Sequence, residues 1–353
     1  MKVLNRYIFR QIFSSVLVVL LLVLSLDFIG KIIDQLDSLR AGYTFTEMLI
    51  YISWSIPASV YEFMPYAVLV GCLIGLGALA GNSELVVARA AGVSILQIAW
   101  MALKSVLVFI LLALLLGEYV VPYAEQTAQS RRALALGYST EDQARRGVWH
   151  READDFILFS VVQPDGTLFG ITRYHFQDGK LVRASNTKKA VYQNGRWNES
   201  NVDVTYFTDS NELTTERIDE QVWNTELTPA LLNIVSMEPG SLSISNLHNY
   251  SEYLADQNLH NGEYALAFWQ KALQPLATIS LMLIAISFVF GPLRQVSMGQ
   301  KIFTGVAFGI GFQLVQSLLG PSSVVFGFSP LVAVLIPIAL CYCVGFYLLK
   351  RAG

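Results

Sequence analysis

The chain has 353 residues, of which 54% are hydrophobic and only 14% are charged. Because ordinary soluble domains carry about a quarter charged residues, this composition argues against a soluble protein and favours a membrane protein. Residues 122–264 contain twelve Lys and Arg against twenty Asp and Glu, and the rest of the chain is basic, so the sequence predicts a basic membrane part with one acidic insertion.

Six apolar runs are close to the ~20 residues that an α-helix needs to cross a bilayer. They span residues 12–26, 60–80, 98–121, 268–290, 302–319 and 331–349. The first run continues to Gly30 without a small-residue cleavage site, which favours a retained span over a signal peptide. The predicted fold class is a membrane α-helical bundle of six transmembrane helices, arranged 3+3 around an inserted all-β domain. The predicted divisions are residues 1–121, 122–264 and 265–353.

The distribution of basic residues predicts the orientation of these spans through the positive-inside rule. A cytoplasmic N-terminus places most of the bases of the membrane part on that side, and the short outer loops then hold Lys31 and Arg40. The cytoplasmic set is Lys2, Arg6, Arg10, Arg89, Arg294, Lys301, Lys350 and Arg351. We therefore expect both termini and residues 81–94 in the cytoplasm. The acidic insertion is expected outside, in the periplasm if the cell is Gram-negative.

The insertion is predicted to be rich in β-strands. Turn signals recur about one strand apart, at residues 164–166, 177–179, 194–195 and 209–211. Evenly spaced strands without intervening helices predict an antiparallel sandwich or a jelly-roll-like domain. Its interior is either closed or open to an acyl chain, and the sequence does not separate these alternatives. A polar helix at residues 246–257 is expected to lead back to the membrane.

A short polar interruption, GNSELVVARAAGVS at residues 81–94, lies between the second and third spans. Asn82 and Ser83 are suitable N-caps, Glu84 suits a first helical turn, and Gly92 suits the position after the helix. The body of this predicted helix, LVVA, is too apolar to face water all round. It is either a simple cytosolic hairpin in which Arg89 is a topology charge, or a helix that docks onto a partner protein.

Motifs for covalent, nucleotide or metal chemistry are absent from the sequence: there is no P-loop, GxSxG or HExxH. The three cysteines lie in apolar runs and form no zinc or redox motif. We therefore expect no enzyme activity and no cofactor in this chain. Asp27, Glu62 and Glu118 lie near the predicted outer ends of their spans, which favours structural or cavity-lining roles over a proton relay. A proton-driven secondary carrier and a non-transporting periplasmic scaffold remain the alternatives.

Small residues recur at spacings that allow close helix packing. Gly71 and Gly75, Gly77 and Gly81, and Gly305 and Gly309 form three small-xxx-small pairs. Such pairs suit contacts within the chain or a seam between subunits, and both possibilities stay open at this point.

The residues and their order resemble the lipopolysaccharide transport permease family LptF/LptG. The resemblance covers almost the whole chain. It includes the 3+3 spans around a β insertion, ELVVARAAGVS at residues 84–94, LSISNLHNYSEYL at residues 242–254 and FVFGPLR at residues 288–294. Each motif alone is weak, but all of them in order are specific.

The resemblance implies a partner assembly. Family members pair as an LptF–LptG heterodimer on two copies of the ATPase LptB, which binds ATP and Mg. They pass lipopolysaccharide to LptC and to a periplasmic bridge of β-jellyrolls that includes LptA. By this similarity, the helix containing Glu84, Leu85 and Arg89 is the coupling helix that seats in a groove of LptB. The first and fifth spans would line the seam with LptF and the lipid cavity, and no nucleic-acid partner is implied.

The resemblance also implies a substrate site near Lys31, which matches a basic position close to the lipid phosphates. Some relatives carry two further lysines where this chain has Asp37 and Ser38, and Arg40 is the remaining base of that loop. Elementary chemistry agrees with this placement, because an anionic glycolipid needs an apolar cavity for its chains and basic groups for its phosphates.

Overall fold

The computed structural model describes the chain except residues 1, 41, 138–147, 153, 164, 208–212, 226, 257–260, 292–295 and 353. The chain divides into two compact units. The bundle unit comprises residues 1–30, 56–121 and 242–353, and the β unit comprises residues 31–55 and 122–241. Two predicted features, the base Arg294 and the turn at residues 209–211, lie outside the described residues.

The described residues contain six helices that are long and apolar enough to cross a membrane, which confirms the predicted 3+3 arrangement. The helices are α1 (Lys2–Leu36), α2 (Phe45–Gly81), α3 (Glu84–Ala90), α4 (Ile95–Leu115), α5 (Val121–Leu136), α6 (Pro229–Ser236), α7 (Ile244–Asp256), α8 (Gly262–Phe290), α9 (Met298–Phe326) and α10 (Pro330–Ala352). A π-helical turn, Leu116–Val120, joins α4 to α5 without a break. The short helix α3 lies between the second and third spans.

The second and third spans are longer than their apolar runs. Helix α2 begins at Phe45, fifteen residues before the run begins, and α5 continues to Leu136. The 37 residues of α2 correspond to about 55 Å of helix, whereas the hydrocarbon core is about 30 Å thick. Both helices therefore continue beyond the hydrocarbon core. Pro57 and Pro65 lie inside α2.

Glycines allow α2 to pack closely against two neighbouring helices within the bundle unit. A Cβ atom at Gly71 would lie 2.6 Å from the Cα of Val16 on α1. On the other side of α2, a Cβ atom at Gly305 of α9 would lie 2.4 Å from Cδ1 of Leu73. These two pairs of the predicted set therefore make contacts within the chain, because only glycine leaves room for the facing atoms.

Gly71→Ala is expected to lower the free energy of unfolding by about 1–3 kcal/mol, because the added methyl group must displace backbone of α1. The measurement is the melting temperature of the purified protein in detergent. Gly81→Ala is the matched control, since no atom lies within 4 Å of a Cβ at that end of the same helix. Equal melting temperatures for the two variants would contradict the close contact.

The spans differ strongly in how much of their surface the chain itself covers. Within the most apolar window of each helix, 72% of the residues of α2 and 61% of those of α8 are buried. The corresponding values are 22% for α1 and 17% for α9. Helices α1 and α9, the first and fifth spans, are therefore the two spans that the rest of the described chain covers least.

The predicted all-β insertion is confirmed, and its strand order is a meander. The strands are β1 (Val148–Glu152), β2 (Asp155–Val162), β3 (Thr167–Gln177), β4 (Lys180–Gln193), β5 (Arg196–Phe207) and β6 (Leu213–Trp223). The six described strands form one antiparallel sheet in which chain neighbours are also sheet neighbours. Two hairpins have the predicted turns, with positive φ at Asp178 and Gly179 and at Asn194 and Gly195, as type I′ turns require.

The β unit has its own core and one buried ionic network. Trp197 and Trp223 pack with Phe159, and the indole N–H of Trp197 donates a hydrogen bond to the backbone oxygen of Leu227 at 2.8 Å. The buried carboxylate of Glu199 accepts hydrogen bonds from Arg173 at 2.7 Å, from Gln221 at 2.6 Å and from Thr187 at 3.1 Å. Burial lowers the pKa of Arg173, and the carboxylate of Glu199 opposes that shift.

Candidate functional site

The first candidate region is helix α3, the predicted coupling helix. Its N-terminus differs from the prediction: Ser83 occupies the N-cap position with φ 64°, and its side chain makes no capping hydrogen bond. Its C-terminus follows the prediction. Gly92 has φ 88°, its N–H donates to the Arg89 oxygen at 2.9 Å, and the Val93 N–H donates to the Ala88 oxygen at 3.1 Å. These two bonds form a Schellman motif, which fixes where the helix ends.

The two faces of α3 have different environments. Leu85 is 3% exposed and belongs to the hydrophobic core of the bundle unit. Ala88, about one helical turn later, is also buried. The opposite face exposes 48% of Val86 and 67% of Val87, together with the side chain of Arg89. Leu85, predicted at the contact with the ATPase, therefore anchors the helix on its own bundle. Val86 and Val87 form the apolar surface that faces outward.

Glu84 is held by contacts within the chain. Its Oε1 accepts a hydrogen bond from the hydroxyl of Tyr7 at 3.3 Å and another from the side-chain amide of Asn82 at 3.4 Å. Because Tyr7 lies on α1, the first of these bonds connects the start of α3 to the first span.

The second candidate region, in the β unit, includes the predicted substrate residues. Lys31 lies one helical turn before Gln35 on α1, so the two side chains share a face. Oε1 of Gln35 accepts hydrogen bonds from Nε of Arg132 at 3.0 Å and from the hydroxyl of Tyr43 at 3.5 Å. The Arg132 guanidinium also lies 5.3 Å from the centre of the Tyr51 ring. Arg132 is thus hydrogen-bonded to Gln35, the residue one helical turn after Lys31 on α1.

The remaining bases of this region are more exposed. Arg40 is exposed, and its backbone N–H donates to the oxygen of Tyr43 at 3.2 Å. Arg131 forms an ion pair with Glu47 at 3.5 Å. Burial raises the pKa of Tyr43, while Arg132 opposes that shift, so the phenol stays a neutral hydrogen-bond donor at physiological pH.

Sequence reasoning missed Arg131 and Arg132 because it placed the end of the third helix at Val121. The residues from Glu125 to Leu136 contain neither glycine nor proline and consist mainly of good helix formers. This signal predicts the continuation of the helix as α5. The continuation of the helix does not by itself place the two arginines near the loop that follows α1. That placement also depends on how α5 packs against α1 and α2.

The three predicted carboxylates have separate environments in the structure. Asp27 of α1 accepts a hydrogen bond from the buried hydroxyl of Ser59 on α2 at 2.7 Å. Glu118, in the π-helical turn, accepts a hydrogen bond from the backbone N–H of Ile244 at 3.0 Å. Glu62 is exposed on α2. Among the described residues, no three His, Cys, Asp or Glu side chains are grouped as metal ligands would be.

Comparison with known proteins gives consistent results over both units. The family model of the lipopolysaccharide export system permease LptF/LptG matches residues 6–351. The chain is 36% identical over 353 residues to the lipopolysaccharide export system permease protein LptG of Escherichia coli strain K12, covering 99% of this chain and 98% of that protein. It is 34% identical over 352 residues to the LptG protein of Haemophilus influenzae strain KW20, with the same coverage of both chains.

Proposed function

Because the chain belongs to the lipopolysaccharide export permease family LptF/LptG, we propose that it is the transmembrane subunit of an ABC-type exporter. It extracts lipopolysaccharide from the outer leaflet of the inner membrane and passes it to a periplasmic bridge towards the outer membrane. The observation that carries this proposal is the combination of six membrane helices, an inserted β domain and an apolar face on α3 in one family member. Both termini are cytoplasmic, and the β domain is periplasmic.

The energy for this reaction comes from a separate ATPase. Removing acyl chains from the bilayer opposes a hydrophobic effect of ~0.8 kcal/mol per methylene, and a chain without a nucleotide-binding motif has no energy source of its own. The partner is a dimer of LptB, which binds ATP and Mg. Val86, Val87 and Arg89 of α3 seat in its groove, while Leu85 and the Glu84–Tyr7 hydrogen bond connect α3 to the membrane helices.

The exporter contains further subunits. The exposed apolar surfaces of α1 and α9 are suited to a seam with LptF and to the wall of a lipid cavity. The β domain joins those of LptC and LptA in a periplasmic bridge. Lys31 and Arg40 bind the phosphates of lipopolysaccharide, and Arg132, which donates a hydrogen bond to Gln35 one helical turn after Lys31, is a third base of this region.

A proton-driven carrier is the less supported alternative. Proton relays depend on carboxylates that are free to exchange protons with a pathway through the membrane. Asp27 and Glu118 instead accept hydrogen bonds from Ser59 and from the backbone of Ile244, which are structural contacts between helices.

Affinity purification in detergent tests the proposal. The tagged chain is expressed with the other subunits, purified, and analysed by mass spectrometry of both protein and lipid. We expect an ATPase, a second permease subunit and lipopolysaccharide to co-purify with the tagged chain. Purification of the chain without an ATPase, under conditions that keep the other permease subunit bound, would contradict it.

A further inference from the structure

Glu118 connects two passages of the chain that are distant in sequence. The chain leaves the bundle unit after Val121 and returns to it at Leu242. Glu118 lies just before the departure, and α7 begins just after the return. The carboxylate of Glu118 accepts a hydrogen bond from the backbone N–H of Ile244 at 3.0 Å and another from the hydroxyl of Ser245. One carboxylate therefore holds together positions that are 126 residues apart.

Lys271 of α8 holds the same return passage from the other side. Its side chain is almost fully buried, with an exposed fraction of 4%. Nζ of Lys271 donates a hydrogen bond to the backbone oxygen of Leu242 at 2.5 Å and lies 5.1 Å from the centre of the Tyr61 ring. Glu118 attracts this ammonium group as the nearby opposite charge. A buried ammonium group is costly without such partners, so its position is strongly determined.

The two charges match the polarity of the backbone that they hold. The first N–H groups of a helix have no partner within the helix, and the helix dipole favours an anion there. Glu118 supplies that anion to α7, while Ser243 caps the N–H of Asn246 at 3.1 Å. The cationic side chain of Lys271 donates a hydrogen bond to the carbonyl oxygen of Leu242, just before the helix. Exchanging the two charges would place each one against backbone groups of the wrong polarity.

Three elements of the bundle unit meet beside Glu118 and Lys271. Gly117, in the π-helical turn, lies so close to Tyr61 that a Cβ atom there would be 2.5 Å from Cε2 of the ring. Gln274 of α8 donates a hydrogen bond to the backbone oxygen of Tyr61 at 3.0 Å. Helices α2 and α8 and the π-helical turn therefore meet at this point, and the π turn orients Glu118 towards α7.

We propose that Glu118 and Lys271 are positioning residues for export, forming a clamp that holds the start of α7 to the membrane spans. Through this clamp, movement of the spans during the ATPase cycle is carried to the chain that leads into and out of the β unit. The inference rests on the proposed export function. A complex without the clamp still hydrolyses ATP but releases less lipopolysaccharide for each ATP consumed.

The experiment compares variants of the whole complex in proteoliposomes that contain lipopolysaccharide. ATP hydrolysis and release of lipopolysaccharide to added soluble LptA are measured together, and amide hydrogen exchange is measured at residues 242–246. We expect Glu118→Ala to lower release per ATP about tenfold, because a charge-assisted hydrogen-bond pair is lost. We expect faster exchange at Ile244 and little change in ATP hydrolysis. Glu118→Gln, which keeps the shape and one acceptor, should have a smaller effect in the same direction.

Two controls separate a clamp from other roles. Glu252→Ala removes an exposed carboxylate from α7, 3.9 Å from the ring nitrogen of His248, and should leave release per ATP unchanged. The double variant Glu118→Lys with Lys271→Glu restores a simple ion pair but places each charge against backbone groups of the wrong polarity, so release should stay low. Recovery of release in the double variant would overturn the clamp.

The remaining outcomes are also decisive. If release per ATP is unchanged in Glu118→Ala and Glu118→Gln, the clamp is wrong. If hydrolysis and release fall in proportion in both variants, the two residues serve stability alone and the inference is wrong. If the wild-type complex does not couple ATP hydrolysis to release, the proposed function itself fails, and the inference fails with it.

Discussion

Val87→Asp is expected to detach the ATPase from the purified complex while the chain remains folded. Val87 is 67% exposed on the outward face of α3, so the substitution places a charge at a position that water reaches in the free chain. In the complex, the same carboxylate would be buried against the partner without a counter-charge, which costs several kcal/mol and lowers affinity at least about 100-fold. Co-purification from detergent, quantified as ATPase per permease, measures the effect.

Leu85→Ala on the opposite face of α3 is the matched contrast. Leu85 is buried in the core of the bundle unit, so its truncation should lower the free energy of unfolding by about 2–5 kcal/mol. Its melting temperature should therefore fall, whereas that of Val87→Asp should not. An ATPase that stays bound to Val87→Asp would show that the exposed face of α3 is not the docking surface.

Lys31→Glu is expected to reduce photo-crosslinking of lipopolysaccharide at the C-terminal end of α1 about tenfold. The substitution replaces an attraction to a phosphate with a repulsion, and a charge-assisted hydrogen bond contributes about 1.5–3 kcal/mol. A photo-reactive residue near α1, with yields compared at equal amounts of assembled complex, gives the measurement.

The control for Lys31→Glu carries the same change of charge at a different place. Lys188 is exposed on β4, so Lys188→Glu alters the net charge equally without touching the cluster around Gln35. Equal crosslinking by Lys31→Glu and Lys188→Glu would remove Lys31 from the substrate site. Arg132→Gln should weaken crosslinking as well, since it removes a charge that is hydrogen-bonded to Gln35, one helical turn after Lys31.

Hydropathy and turn chemistry predicted the architecture because both are local properties of the sequence. Six apolar runs correspond to six helices, and the dipeptides at Asp178 and Asn194 form the predicted hairpins. Gly92 ends α3 as expected, because a left-handed residue that closes a Schellman motif favours glycine. These features depend on a few neighbouring residues and need no knowledge of the tertiary fold.

Features that depend on tertiary packing were beyond sequence reasoning. Whether Leu85 or Val87 faces the bundle depends on the rotation of α3, which its neighbours set. The contact between Glu118 and Ile244 joins residues 126 positions apart, and no local pattern indicates it. The strand order of the β unit could not be predicted either, since evenly spaced strands are compatible with a sandwich, a jelly roll or the meander that the described strands form.

ATP-dependent release of lipopolysaccharide from proteoliposomes tests the central claim most directly. The complex purified through this chain is reconstituted with lipopolysaccharide, and release to added LptA is followed with ATP and Mg, without ATP, and with a protonophore. The export proposal predicts release that requires ATP hydrolysis and that continues when the protonophore removes the proton gradient. Release that proceeds without ATP and stops with the protonophore would contradict it and would favour a proton-driven carrier.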